Sequence, residues 1–358
     1  MHASMRSSVQ LSKLTPASSL KRAFHSARIL AAPRHAASGG GDEPSTIDVD
    51  ASVSSADAGD VSVAVATEPK EAEADAWTPT PPEGWVAPEP KRFTPAEGQI
   101  GDLATASAPF LLRLGTGALA RGYSVSIERD EDASAYSVAR GAGWRVTETS
   151  TVAELPRPEQ PIELFEFQGC PFCRKVREAV CILDLDVMFY PTPKDGPTFR
   201  PQAIAEGGKS MFPYMRDPNT GVSMYESDDI IAYLFKTYGD GQVPLALTLG
   251  PLTVLTEGLS LMPRMGKGSK YVPAKMPKEP LVVWSYEPSP FCVVVEEVLC
   301  ELELPHLKKT TPRGSPKRQE LLEKVGHFQV PYLEDPNTGI AMFESAAIVD
   351  YLRKTYAA

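Results

Sequence analysis

Two stretches of the chain, PIELFEF (161–167) and PLVVWSY (280–286), alternate apolar side chains in the way that predicts a half-buried strand. Each runs into a turn containing Pro-Phe-Cys, and there the apolar period changes. Val176, Ala179, Val180 and Leu183 follow the first turn; Val294, Val298 and Leu302 follow the second. Spacings of three and four put each set on one helix face. Further on, VMFYPTP (187–193) predicts a second strand, and a short helix is expected near 199–206. A hydrophobic residue then precedes proline (Phe212-Pro213, Val330-Pro331), and DPNTG (217–221, 335–339) predicts a hairpin. A last helix begins at Ser227 or Ser345, serine being suited to an N-cap. The predicted element order is βαβαββα, written twice.

The two segments are copies. At an offset of 118–119 residues, CPFC (170–173) falls on SPFC (289–292), Cys181 on Cys300, and DPNTG on DPNTG. MYES (224–227) falls on MFES (342–345), and YLFKTY (233–238) on YLRKTY (351–356). Identity at matched spacing in several separate strings is the mark of a duplication. The expected fold class is α/β, two tandem thioredoxin-like domains at 159–240 and 280–358, joined by a helix and linker at 241–279.

The segments ahead of the first copy differ in character. Residues 1–41 hold six Lys/Arg and no acid, with Ser and Ala filling most of the remainder, the composition of an organelle transit peptide. Residues 42–75 reverse the sign, with ten acids against Lys70, and a proline-rich stretch follows; 42–95 is therefore expected to be a disordered linker. Residues 96–158 form an extension in which 104–121 is apolar enough for a short helix, as is 246–261 between the copies. Arg113 interrupts the first and Glu257 the second, so neither predicts a membrane span. Peripheral membrane contact, helped by Lys267, Lys270, Lys275 and Lys278, is a lesser alternative. A formal charge of −10 argues against a nucleic-acid partner, because phosphate recognition needs clustered Lys and Arg.

Five cysteines in 358 residues are too few for a disulfide scaffold, which leaves thiol chemistry or thiol packing. Cys170 stands between a predicted strand and a predicted helix, where unpaired N–H groups and the helix dipole favour a thiolate. Pro171 suits the first helical turn. Arg174 and Lys175 add positive charge nearby, and Cys173, three residues on, shares the helix face. The pair fits thiol–disulfide exchange, with Cys170 attacking and Cys173 or a small thiol resolving. Two other readings stand open: an inert buried pair, and half of a zinc site, for which a second ligand pair is missing from the pattern. Cys181 and Cys300, at matching apolar places, read as small core residues.

Each copy resembles the N-terminal, glutathione-binding domain of glutathione transferases, and the CPFC turn also resembles glutaredoxin. From about Trp85 onward, the strings RLGTG, MPRMGKGS, RGSPKRQ, HFQVPYLEDPNTG and KTYAA resemble a plant and algal plastid family of tandem thioredoxin-like proteins. The resemblance implies cis bonds before Pro213 and Pro331, with the Phe212 backbone pairing with glutathione like an added strand. It also implies that Glu226, Ser227 and Asp228 hold the γ-glutamyl end, and that Arg174 and Lys175 line the same site. In the second copy the matching residues are Ser289, Cys292, Val330, Pro331, Glu344 and Ser345, forming either a second glutathione site or a degenerate scaffold. The expected fold lacks the all-helical domain of transferases, which residues 241–279 between the copies are too few to supply. The leading expectation is a chloroplast (alternatively mitochondrial) thiol–disulfide oxidoreductase. It would use glutathione as co-substrate and act on protein or small-molecule disulfides. The alternatives are a non-catalytic glutathione-binding adaptor and a transferase or isomerase, since a membrane-associated prostaglandin synthase also carries a CPFC turn on this fold.

Overall fold

A computed structural model of the protein describes residues 77–91 and 94–358. The expected targeting segment and most of the expected linker lie outside the described residues. Two short helices, α1 (Ile100–Ala106) and α2 (Ala108–Leu112), come first. A small antiparallel sheet of β1 (Ser124–Arg129), β2 (Ala139–Gly141) and β3 (Trp144–Thr149) follows, in the order β1-β3-β2. The first copy comprises β4 (Ile162–Glu166), α3 (Pro171–Ile182), β5 (Asp186–Pro191), α4 (Phe199–Gly207), β6 (Tyr214–Asp217), β7 (Val222–Met224) and α5 (Ser227–Tyr238). Between the copies run α6 (Leu245–Thr248) and α7 (Pro251–Leu261). The second copy repeats the plan as β8 (Leu281–Ser285), α8 (Pro290–Glu301), β9 (His306–Thr310), α9 (Lys317–Val325), β10 (Tyr332–Asp335), β11 (Ile340–Met342) and α10 (Ser345–Tyr356). The βαβαββα order stands in both.

Within each copy the first two strands are parallel and the hairpin is antiparallel to the first. Each copy would leave its second strand as an open edge, a template for unwanted pairing. Here the two edges close on each other: β5 runs antiparallel to β9, with Val187 opposite Lys308 and Phe189 opposite His306. The result is one eight-stranded sheet, β11-β10-β8-β9-β5-β4-β6-β7. Repeated tyrosines explain themselves in the same frame. Tyr233 and Tyr238 both donate to Asp217 at 2.6 Å, and Tyr351 (2.5 Å) and Tyr356 (2.6 Å) donate to Asp335. A buried carboxylate at the hairpin needs those donors, so DPNTG and the YL-x-KTY helix repeat together.

Three expectations change. The predicted helix over 104–121 ends at Leu112, because Leu114, Gly115 and Gly117 all take positive φ. That over 246–261 is broken in two at Gly250 (φ 56) and Pro251. The end of the predicted free linker is instead docked: Trp77 and Trp85 pack on the core of the second copy, 5.9 and 5.5 Å from the rings of Tyr356 and Tyr351.

The duplication also extends further than the copies themselves. Arg113-Leu-Gly-Thr-Gly117 and Arg264-Met-Gly-Lys-Gly268 are equivalent. Arg113 pairs with Glu178 of α3 at 2.9 Å and Arg264 with Glu297 of α8, so each arginine reaches the same helix position in its own copy. Meanwhile α1 packs on α8 and α7 packs on α3. The two arms therefore cross over: each lays a helix on the other copy and returns an arginine to its own. Gly117 and Gly268 are required here, since a Cβ would stand 3.3 and 3.2 Å from the Glu178 and Glu297 Cα atoms, at φ 84 and 68.

Candidate functional site

Cys170 is the N-cap of α3, extended at φ −96 and ψ 121, with Pro171 at the first helical position. Its sulfur accepts the N–H of Cys173 at 3.3 Å. The Cys173 thiol and then its backbone N–H lower the Cys170 pKa, outweighing the upward push of burial and of Glu166, and Arg177 adds a smaller pull downward. The proton stays on Cys173, whose thiol burial and the neighbouring sulfur push well up. The remaining thiols are ordinary buried groups: burial raises Cys181 and Cys292 to about 12, and Cys300 well above its usual value. Of the five thiols, Cys170 is the one whose pKa is lowered. It is only 4% exposed. The Gly268–Ser269 segment of the second arm runs beside it, so close that a Cβ on Gly169 would meet the Ser269 hydroxyl at 1.8 Å.

Around Cys170 the structure gathers several of the expected residues. The peptide bonds before Pro213 and Pro331 are both cis. The Phe212 carbonyl lies 3.8 Å from the Cys170 sulfur. Glu226, at φ 64, is the N-cap of α5, and Ser227 and Asp228 open that helix. Lys175 is fully buried and its ammonium pairs with Asp228 at 2.6 Å, so it braces the wall of the site.

Arg174 is placed elsewhere, which corrects its expected position in this site. Its guanidinium turns from the sulfur into an ion cluster between the copies, 2.7 Å from Glu287 and 3.2 Å from Glu257. The helix leaves it no choice, because position 174 faces α7 and the second copy. The nearby charge comes from two arginines that sequence reasoning passed over. Arg177, 1% exposed, pairs with Glu166 and Glu287. Arg200 stacks over Phe212 (4.5 Å) and Phe167 (5.6 Å) while donating to the Thr192 and Pro193 carbonyls. Its counterpart Arg318 donates likewise to the Thr311 and Pro312 carbonyls. That matched pair, 118 residues apart, was the available signal.

The interdomain cluster has its own logic. Arg113, Arg174, Arg177 and Lys308 face Glu166, Glu178, Glu257, Glu287 and Glu296, one anion too many. Burial pushes Glu287 up, but Arg177, Arg174 and Lys308 overcome it and bring the carboxyl down to about 2. Burial and the adjoining Glu178 instead drive Glu257 up to about 9, against Arg174 and Arg113. Glu257 therefore keeps its proton at neutral pH. Neither Glu257 oxygen receives an aligned hydrogen bond, although Arg113 approaches to 2.9 Å, consistent with a carboxyl that donates to Glu178.

The second site has the same backbone and a different content. Ser289 caps α8 at φ −78 and ψ 119 and accepts the Cys292 N–H at 3.4 Å, copying the Cys170 geometry without the sulfur. A cavity of about 500 Å³ is lined by Ser289, Val330, Pro331 and Tyr286 and by residues 133–140 of the connection from β1 into β2. Its anchoring end is already engaged by this chain. Glu344 accepts the Lys91 N–H at 2.6 Å and the Gln329 amide at 2.8 Å, and Ser345 accepts the Gln99 amide at 2.8 Å. Among the described residues, the side chains of Glu226 and Ser227 in the first copy have no such partners.

Two segments, residues 164–242 and 284–358, match the family model described as glutathione S-transferase, N-terminal domain. The chain thus carries two tandem copies of that thioredoxin-like domain. Among solved structures, it is similar to a Bombyx mori glutathione transferase, at 29% identity over 24% of this chain and 38% of that one, with a TM-score of 0.22. The same silkworm enzyme in complex with GTT matches at 30% identity over 24% and 39%, again with a TM-score of 0.22. The chain spans about two fifths of the length of these transferases. No curated protein matches it.

Proposed function

We propose that the protein is a glutathione-dependent thiol–disulfide oxidoreductase whose nucleophile is Cys170. The observation that carries this is the single acidified thiol at a helix N-terminus, beside unengaged anchoring residues. The Cys170 thiolate attacks the glutathionyl sulfur of a mixed disulfide, forming Cys170–S–S–glutathione and releasing the substrate as a thiolate that takes up a proton. The thiolate of a second glutathione attacks that bond, leaving as glutathione disulfide and restoring the Cys170 thiolate. The net reaction, one mixed disulfide and one glutathione giving the substrate thiol and glutathione disulfide, exchanges one disulfide bond for another and balances in atoms, protons and electrons.

Cys173, holding its proton firmly, serves as hydrogen-bond donor to the thiolate and is a poor second nucleophile. Glu226 and Ser227 at the start of α5 receive the γ-glutamyl ammonium and carboxylate, the latter on helix N-terminal amides. The Phe212 backbone pairs with the cysteinyl unit.

Purified protein assayed on a glutathionylated peptide tests this. Cys170→Ser should abolish reduction, while Cys173→Ser retains a measurable part. Equal rates for wild type and Cys170→Ser would end the proposal. The low exposure of Cys170 favours one second reading, a glutathione-binding adaptor without turnover; it predicts binding with no reduction in that assay. The acid-free, arginine- and serine-containing first 41 residues support a chloroplast location, which import into isolated chloroplasts against mitochondria would decide.

A further inference from the structure

The small sheet ahead of the first copy lines the site of the second. The second arm has no counterpart of β1–β3 between Gly268 and Leu281, so duplication alone does not account for this sheet. Its connection from β1 into β2 is firmly held. Tyr136 packs edge-on against Phe328, ring centroids 5.0 Å apart, accepts from the Arg318 guanidinium at 2.6 Å and donates its N–H to Gln319. The cavity that this connection lines, about 500 Å³, has the size of a small-molecule site. Tyr136, Tyr286, Phe291 and Phe328 give it aromatic walls. Its charge is unbalanced: Lys91, Arg140, Arg313 and Arg318 stand against Glu344, the one acid among the described lining residues. Asp130 matches Arg140, but Arg313 and Arg318 share one fully buried carboxylate, Glu148. Arg313 gives Glu148 only its Nε–H; its terminal amino groups have no hydrogen-bond partner among the described residues, and its side chain is 40% exposed. The Tyr286 hydroxyl likewise has no such partner, where the first copy carries Phe167. Burial pushes that hydroxyl's pKa up while Arg318 and Arg313 pull it down, so the three groups are neighbours.

We infer that this cavity binds an aromatic carboxylate, with the ring among the four aromatic side chains and the carboxylate on Arg313 and the Tyr286 hydroxyl. Two guanidinium groups on one carboxylate leave a single surplus positive charge, which suits a monoanion, and the free fork of Arg313 suits two carboxylate oxygens. An inorganic anion would leave the aromatic walls unused, and a neutral ring would leave the guanidinium charge unanswered. Glutathione is not the ligand here. Glu344 and Ser345, the residues placed to hold its γ-glutamyl end, already accept from Lys91, Gln329 and Gln99.

Calorimetric titration of the full chain with 2-naphthoate tests the inference, with uncharged 2-naphthamide and inorganic phosphate alongside. One naphthoate per chain should bind, at least about tenfold more tightly than either comparison ligand, and saturating glutathione should not displace it. Arg313→Gln should weaken naphthoate about tenfold and leave the amide unchanged, a split that loss of folding would not produce. Arg318 and Tyr123 still reach Glu148 in that variant, and circular dichroism checks that the fold is kept. Tyr286→Phe, which installs the residue of the first copy, should weaken naphthoate by a smaller factor. Absence of naphthoate binding, equal affinity for the amide, displacement by glutathione, or indifference to Arg313→Gln would each overturn the inference.

Discussion

The caps of α3 and α8 have nearly the same backbone and receive the same N–H from three residues on, at 3.3 and 3.4 Å. Yet one holds an acidified sulfur and the other a hydroxyl that cannot attack a disulfide. Removing the sulfur is only half of the difference. In the second copy Glu344 and Ser345 accept hydrogen bonds from Lys91 and Gln99 of the chain's own extension, whereas among the described residues the side chains of Glu226 and Ser227 accept none of that kind. A duplicated fold preserves geometry because the geometry is held by its core and by the Asp217 and Asp335 tyrosine clusters. Chemistry, resting on one atom and one open anchor, diverges freely.

The widest gap between the copies should appear in the nucleophile. Cys170→Ser is expected to lower turnover of a glutathionylated peptide below about 1% of wild type. Ser289→Cys, which rebuilds CPFC in the second copy, should not rescue it, because the anchor there remains covered. Rescue would break the comparison. A smaller difference concerns binding. Calorimetry should find one glutathione per chain. Ser227→Ala should weaken binding about tenfold, the loss of one hydrogen bond to a charged group, whereas Ser345→Ala leaves it unchanged.

The contrast sharpens between the copies as well as within them. Glu257 binds its proton more tightly in the fold than in the unfolded chain, so its stabilising contribution is complete below about 4.5. That contribution is lost as pH rises through about 9. Glu257→Gln, uncharged throughout, should flatten the fall in denaturant midpoint across that window. An unchanged slope would show that the cluster does not hold the extra proton.

The copies were legible in the sequence because short strings of identity recur at one offset, and because strand and helix periods are clean in both. The sulfur site followed from a cysteine placed between a strand and a helix. What escaped has physical causes. The β1–β3 sheet is largely exposed, and the alternation in its strands is confined to two apolar residues each, Val125 and Ile127 in β1 and Trp144 and Val146 in β3, too short a run to stand out. The crossed arms repeat at 151 residues instead of 119, since that sheet is inserted between arm and domain in the first copy only. Arg174 looked like a site residue by proximity along the chain, but helix rotation directs it to Glu287 while Arg177 and Arg200 carry the charge near the sulfur. The joining of β5 to β9 is a pairing of two edges, which no local pattern announces.

The most direct measurement is the pH dependence of iodoacetamide labelling at Cys170, followed by mass spectrometry of the modified peptide. The account predicts that Cys170 is alkylated first of the five thiols, with a midpoint below the ordinary cysteine value of 9.0 that rises in Cys173→Ala. Labelling of Cys170 with an ordinary or raised midpoint, or no faster than Cys292, would contradict it.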